Sequence, residues 1–92
     1  AIAEYINRRG TSYSPEQVVV TPGGKPVMFF VILALLQAGD EAIYPDPGFP
    51  IYRSMIDFSG ATAVPAPLWE ANDFRLDVEE LAALVTPRTR LL

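Results

Sequence analysis

Two glycines followed by a lysine stand between an apolar triplet and a long apolar run, and such a junction could bind an anion. The triplet, residues 18–20, predicts a strand, and the run at residues 27–38 predicts a helix. Gly23 and Gly24 let the backbone approach a ligand closely, and free amides at the start of the helix carry the positive end of its dipole. Phosphate is the natural ligand of such a turn, with Lys25 beside it as a charge partner. A tight turn with no ligand explains these residues equally well.

An aromatic residue stands in a second turn, which is rich in proline and glycine and covers residues 45–50. This turn follows a strand predicted at residues 42–44, and open α/β sheets bind their ligands at the edge where strands end. Phe49 could lie flat there against a planar ring. The alternative, in which Phe49 and Tyr52 pack beneath the loop, is favoured when this segment is considered alone.

The composition excludes several classes of site. The chain has no Cys and no His, which excludes disulfides, thiolate zinc sites and the Ser-His and Cys-His nucleophile pairs within it. A net charge of −4 argues against a nucleic-acid partner. The longest apolar run, from Val27 to Leu36, is too short to cross a bilayer, so no membrane association is expected. Asp40, Glu41 and Asp46 are interpreted as turn residues, and neither a metal site nor a catalytic residue is assigned.

The elements that must position these residues alternate between strands and helices. Strands are predicted at residues 18–20, 42–44, 61–64 and 89–92, and helices at residues 1–9, 27–38, 49–58 and 78–85, with a single turn at residues 15–17. This alternation is typical of βαβ units, so the predicted fold class is α/β, with a parallel or partly mixed sheet. The helices are too few to cover both faces of such a sheet.

The two ends predict that residues 1–92 are a single, incomplete domain from a longer polypeptide. The sequence begins within a helical pattern and without an initiator Met, and it stops as the fourth predicted strand starts. The first residues do not form a secretory signal, and a cytoplasmic location is expected. Uncovered apolar surface in such a piece predicts that the isolated chain self-associates.

Taken together, these segments resemble the class I/II aminotransferases, the fold-type-I enzymes that depend on pyridoxal phosphate. The resemblance rests on residues 20–25 (VTPGGK), the apolar helix after them, residues 39–41 (GDE), residues 45–49 (PDPGF), Tyr52 and the closing pattern over residues 76–90. The order and spacing of these segments match over nearly the whole chain. The resemblance therefore implies a fragment of the large, cofactor-binding domain of such an enzyme.

The resemblance also implies which residues hold the cofactor. Gly24 and Lys25 would offer backbone amides to the phosphate of pyridoxal phosphate, and Phe49 would stack on its pyridine ring. Tyr52 matches a frequent aromatic of this segment and is given no chemical role. The family's covalent lysine lies in a later segment, and Lys25, at the phosphate end of the cofactor, is not a substitute for it. The 92 residues alone are therefore expected to be inactive.

For the parent protein, the resemblance implies a homodimer that transfers an amino group between an amino acid and a 2-oxo acid, with aspartate-type enzymes as one example. Related pyridoxal-phosphate lyases and synthases share the same motifs. Two non-catalytic alternatives stay open at the level of sequence. One is a small α/β module that binds phosphate or a nucleotide, and the other is the effector-sensing, aminotransferase-like domain of a transcription regulator.

Overall fold

Three parallel strands form the sheet in the computed structural model, which describes residues 1–92. In chain order the elements are α1 (Ile2–Asn7), α2 (Gly24–Leu35), β1 (Glu41–Asp46), α3 (Ile51–Phe58), β2 (Thr62–Pro67), α4 (Val78–Leu84) and β3 (Thr89–Leu91), with 3₁₀ turns at Pro15–Gln17 and Glu70–Asn72. The strand order is β2-β1-β3. The predicted α/β class is confirmed, and the sheet is parallel throughout. No helix in the chain combines the length and the apolar character that a membrane crossing requires.

Strand β1 occupies the middle of the sheet, and its backbone pairing with β2 is much longer than its pairing with β3. The pairing with β2 runs along the full strand, from Glu41 opposite Thr62 to Asp46 opposite Pro67. The pairing with β3 is limited to Glu41 opposite Thr89 and Ala42 opposite Leu91, with an irregularity between them. Strand β3 is therefore a short strand with few backbone contacts to hold it.

The core lies on the face of the sheet that α2 and α3 cover. Its buried side chains are Ile32 and Leu36 near the end of α2, Ile56 of α3, Ala42 of β1 and Ala61 before β2. Successive strand residues point to opposite faces, so Ile43 faces the other side. There, α4 packs against β2, and Ile43, Ala66 and Leu81 line a second apolar cleft. Helices therefore lie on both faces, but each face is only partly covered.

Most predicted elements are confirmed, with boundaries that shift by at most three residues. Helix α2 begins at Gly24, three residues before the predicted start at residue 27, because Gly23, with a φ of 96°, takes the capping position. Pro26 then lies in the first turn, where its missing N–H removes no helical hydrogen bond. The predicted turn at residues 15–17 is also present, closed by the Ser14 amide donating to Gln17 Oε1 at 2.9 Å.

The strand predicted at residues 18–20 is not formed, and this expectation is wrong. Val19 and Val20 are 81% and 72% exposed, instead of covered on both faces. A β-branched triplet becomes a strand only when another strand supplies hydrogen-bond partners, and none of the three strands in this chain lies beside it. The sheet therefore has three strands and not the expected four.

Helix α4 is started by a side-chain cap at Asp77, as its acidic first turn predicts. Asp77 Oδ1 accepts hydrogen bonds from the amides of Glu79 at 2.9 Å and Glu80 at 3.0 Å. These bonds satisfy two amides that have no acceptor within the helix.

We expect Asp77→Ala to lower the free energy of unfolding by about 1 kcal/mol, because both capping bonds are lost. Asp77→Asn keeps an acceptor oxygen and should lose clearly less. Urea unfolding of the protein with each substitution measures the difference. Equal losses for alanine and asparagine would show that the cap contributes nothing specific.

Helix α2 leaves a large apolar surface uncovered. Val27, Phe30, Val31, Leu33 and Leu35 are between 39% and 55% exposed. Contiguous apolar patches of this kind are uncommon on soluble monomers and favour association.

We expect the 92-residue chain on its own to self-associate through this surface, which light scattering over a range of concentrations would detect. Replacing Phe30 and Leu33 together by glutamate should lower the average mass, because charge on the patch opposes its burial. A monomer at high concentration before any substitution would contradict the expectation.

Candidate functional site

The start of α2 presents two backbone amides that have no acceptor in the chain. Gly23 adopts a φ of 96°, a conformation that favours glycine, and its amide bonds back to Thr21 O at 2.9 Å. Thr21 Oγ1 in turn donates to Gly23 O at 2.7 Å, which fixes the turn. The amides of Gly24 and Lys25 make no hydrogen bond within the chain, as expected for the first residues of a helix. They therefore remain able to donate to an anion.

The space around this turn is open. A methyl group added at Gly23 or Gly24 would meet no atom within 4 Å. Lys25 is exposed and forms no salt bridge with any carboxylate of the chain. The helix dipole and the ammonium group thus place positive charge at the same point, without a protein anion to neutralise it.

Phe49 is presented by the turn that follows β1. Gly48 is required immediately before it, because a side chain at that position would overlap the carbonyl oxygen of Pro45. Tyr52 donates its amide to Phe49 O at 3.1 Å as α3 begins, and the two rings meet edge to face with centroids 5.7 Å apart. Phe49 itself is 41% exposed, so part of its ring is available to a ligand.

The fold brings the two predicted segments together. Lys25 Nζ lies 6.0 Å from the centroid of the Phe49 ring, at the outer limit of a cation–π contact. Gly24 is next to Lys25 in the helix, so the phosphate-binding candidates and the stacking candidate belong to one region. The residues between them in sequence form most of α2 and all of β1.

Two recesses adjoin this region, and they contain residues that the sequence analysis did not use. A cleft of about 300 Å³ between α2, α3 and the sheet is walled by apolar side chains together with Tyr44 and Tyr52. A smaller recess of about 180 Å³ around Phe49 includes Asp46 and Arg53. Arg53 lies 3.6 Å from Asp57 along the exposed side of α3. Its spacing of four residues from Phe49 was the signal in the sequence that could have found it.

Glu41 has a different role from the one predicted. It is not a turn residue but the first residue of β1, and it is only 6% exposed. Its carboxylate accepts hydrogen bonds from Thr86 Oγ1 at 2.6 Å and from Arg88 Nε at 2.8 Å. The bond from Thr86, followed by those from Arg88, holds the pKa of Glu41 below its ordinary value, although burial acts in the opposite direction. Arg88, just before β3, is thus engaged by a carboxylate of the chain.

Comparison with known proteins assigns the chain to a family. The family model "Aminotransferase class I and II" matches residues 1–92, the whole chain. The chain therefore belongs to the class I and II aminotransferase family. The resemblance in the sequence is confirmed by this match.

Individual relatives are similar along the whole chain but are much longer. An arginine–pyruvate transaminase of Pseudomonas aeruginosa is 42% identical over 92 residues, which are 99% of this chain and 23% of that protein. An aspartate/prephenate aminotransferase of Thermus thermophilus is 37% identical, over 100% of this chain and 24% of that protein. A structure of the aspartate aminotransferase from Thermus thermophilus with maleate superposes with a TM-score of 0.87 at 36% identity, covering 98% of this chain and 24% of that one. The chain thus spans about a quarter of the length of the relatives it matches.

Proposed function

We propose that these residues form part of the cofactor-binding large domain of an aminotransferase that uses pyridoxal phosphate. In the whole protein, this enzyme would move an amino group between an amino acid and a 2-oxo acid. The observation that carries the proposal is the convergence of the open start of α2 with Phe49, marked by the 6.0 Å distance from Lys25 Nζ to the ring centroid. Membership of the aminotransferase family supports the same assignment.

The donor set fits the two ends of pyridoxal phosphate. The free amides of Gly24 and Lys25 and the positive end of the helix dipole suit a phosphate group, and the Lys25 ammonium adds charge there. The partly exposed ring of Phe49 offers a flat apolar surface for a pyridine ring, with Tyr52 supporting it edge-on. When bound, the cofactor supplies the electron sink for the chemistry, and these residues bind and orient it.

Lys25 is proposed to bind phosphate and not to form the covalent bond to the cofactor. It is the one lysine of the chain, and it lies at the first turn of α2, where the phosphate would be. We therefore propose that the 92 residues alone do not catalyse amino transfer, and that the covalent lysine belongs to another part of the whole protein.

The similar proteins suggest two amino acids to test as donors. The relatives and structures named for aspartate favour an aspartate-type enzyme. The relative at 42% identity acts, by its name, on arginine and pyruvate, which makes arginine the second candidate. A cytoplasmic homodimer is proposed for the whole protein; the exposed apolar surface of α2 is consistent with burial against further protein. The family match disfavours a non-catalytic phosphate module or a regulator domain.

Phe49 provides the sharpest test of the cofactor site. In the full-length protein, Phe49→Ala should weaken pyridoxal phosphate binding roughly tenfold, because stacking on an aromatic ring contributes about 0.5–1.5 kcal/mol beyond the area buried. Phe49→Trp and Phe49→Tyr should keep most of the affinity. Fluorescence titration of the apoprotein measures the effect, and Phe74→Ala, which removes an exposed ring elsewhere, is the matched control. The site is wrongly assigned if all three substitutions at position 49 weaken binding equally.

Activity should be tested with the full-length protein and the 92-residue chain in parallel. We expect the full-length protein to carry pyridoxal phosphate that borohydride fixes to the chain, and to convert a 2-oxo acid when aspartate is the donor. Arginine with pyruvate is the second pair to test. The 92-residue chain should show neither property. Binding of free phosphate or a nucleotide without preference for pyridoxal phosphate would favour the non-catalytic module instead.

A further inference from the structure

Glu41 is the one buried residue of the chain whose side chain is polar or charged. Burying a carboxylate is costly unless donors replace its water, so the partners of Glu41 indicate what the charge does. All of these partners come from the segment that leads into β3. Thr86 Oγ1 donates to Oε2, while Arg88 Nε and Nη2 both donate to Oε1, at 2.8 and 2.5 Å.

Asp40, next to Glu41, makes further contacts with β3, with β2 and with the segment after α2. Its Oδ1 lies 3.5 Å from Arg90 Nε, on β3, and its Oδ2 accepts a hydrogen bond from Gln37 N at 3.0 Å, just after α2. The carbonyl oxygen of Asp40 accepts the amide of Thr62, the first residue of β2. We name this group of side chains the amino-end clamp; it consists of Asp40, Glu41, Thr86, Arg88 and Arg90.

The amino-end clamp supplies much of what holds β3 in place. The strand pairs with β1 at only two positions, and the register is irregular between them. The amide of Glu41 donates to Arg88 O at 2.9 Å. Glu41 therefore binds Arg88 through its backbone as well as through its carboxylate. Two charge-assisted bonds from one guanidinium to Oε1, together with the bond from Thr86 to Oε2, hold both carboxylate oxygens in place. The clamp therefore defines the register of β3 where the backbone pairing alone defines it weakly.

The other end of β3 lies beside the candidate cofactor site. Leu91 and Leu92 are part of the wall of the apolar cleft between α2, α3 and the sheet. Tyr52 belongs to the same wall, and its ring meets that of Phe49. A shift of β3 along β1 would move both leucines relative to this pair of rings.

We propose that Glu41 is a positioning residue, whose carboxylate sets the register of β3 and thereby the position of Leu91 and Leu92 in the cleft wall that they share with Tyr52. The effect on β3 follows from the contacts of the clamp alone. The effect on the cofactor rests on the proposed function.

Glutamine at position 41 separates charge from shape. Its one acceptor oxygen can still take both bonds from Arg88, now without the negative charge, while its NH₂ group cannot accept the bond from Thr86 Oγ1. The charged groups around Glu41 are the cations of Arg88 and Arg90 and the carboxylate of Asp40, all of which stay in place in this variant. Loss of the single negative charge, together with the bond from Thr86, is therefore the change that the experiment measures.

The first measurement is hydrogen exchange of the β3 amides in the full-length protein. Glu41→Gln should speed their exchange about tenfold at neutral pH, because the bonds from Arg88 lose their charge assistance and the bond from Thr86 is lost. Exchange in β2 should change much less. Glu4→Gln, which neutralises an exposed carboxylate in α1, is the control and should leave β3 unchanged.

Arg88 gives a second route if Glu41→Gln does not fold. Arg88 is 69% exposed, so its replacement removes little packing. Arg88→Ala should speed exchange of β3, Arg88→Lys should do so less, and the variant with both Glu41→Gln and Arg88→Ala should exchange no faster than Glu41→Gln alone. Additive effects would overturn the assignment of a single clamp.

The pH profile distinguishes a charge from a merely structural contact. Because the pKa of Glu41 is lowered in the folded protein, its contribution is complete above the ordinary glutamate pKa of about 4.3 and is lost as the pH falls through the lowered value. After correction for intrinsic exchange rates, the wild-type protein should lose β3 protection in that acidic range. Glu41→Gln should lack this step, and a step of equal size in both proteins would overturn the proposal.

The second measurement is the affinity of the same apoproteins for pyridoxal phosphate. We expect Glu41→Gln to weaken this affinity about tenfold, because a shift of β3 would displace the Tyr52 and Phe49 rings slightly. Faster β3 exchange with unchanged affinity would overturn the positioning role. Unchanged exchange would overturn the clamp itself. If the wild-type protein fails to bind the cofactor, the proposed function fails together with the effect on the ring, while the exchange experiments still decide whether Glu41 sets the register of β3.

Discussion

The central position of β1 is the constraint on which the rest of this structure depends. Strand β1 pairs with β2 along its full length on one side and with β3 at two positions on the other. Its first residue, Glu41, is buried and holds the approach to β3, and the turn after its last residue carries Phe49. Pairing on both sides fixes the register of β1 in the sheet. The position of the turn that follows it is therefore fixed as well.

Helix α2 meets two demands at its opposite ends. Ile32 in its last turns and Leu36 directly after it lie in the core, where packing fixes the direction of the helix. Its first turn has no core residue, and the amides of Gly24 and Lys25 are left free. Stability and ligand binding are thus separated along one element, which explains why a helix that is apolar almost all round begins in an open glycine turn.

Local signals in the sequence were sufficient for much of the fold and for part of the site. The Asp77 cap, the Ser14 turn and the glycine before α2 were predicted because each depends on residues within a few positions. The family resemblance implied that Lys25 and Phe49 bind one cofactor, and the two residues lie close together although the strand expected before the glycine turn is not formed. What failed was non-local. Residues 18–20 have strand-forming side chains but no strand beside them, and the burial of Glu41 depends on Arg88, 47 positions away.

Positions 48 and 49 of the turn after β1 differ in how freely their residues can be replaced. Any side chain at position 48 would collide with the main chain of Pro45, whereas the partly exposed ring at position 49 lines an open recess. Repeated rounds of random substitution and selection for binding should therefore retain glycine at 48 while exchanging one aromatic for another at 49. Within this turn, the residue that touches no ligand would be the less replaceable of the two.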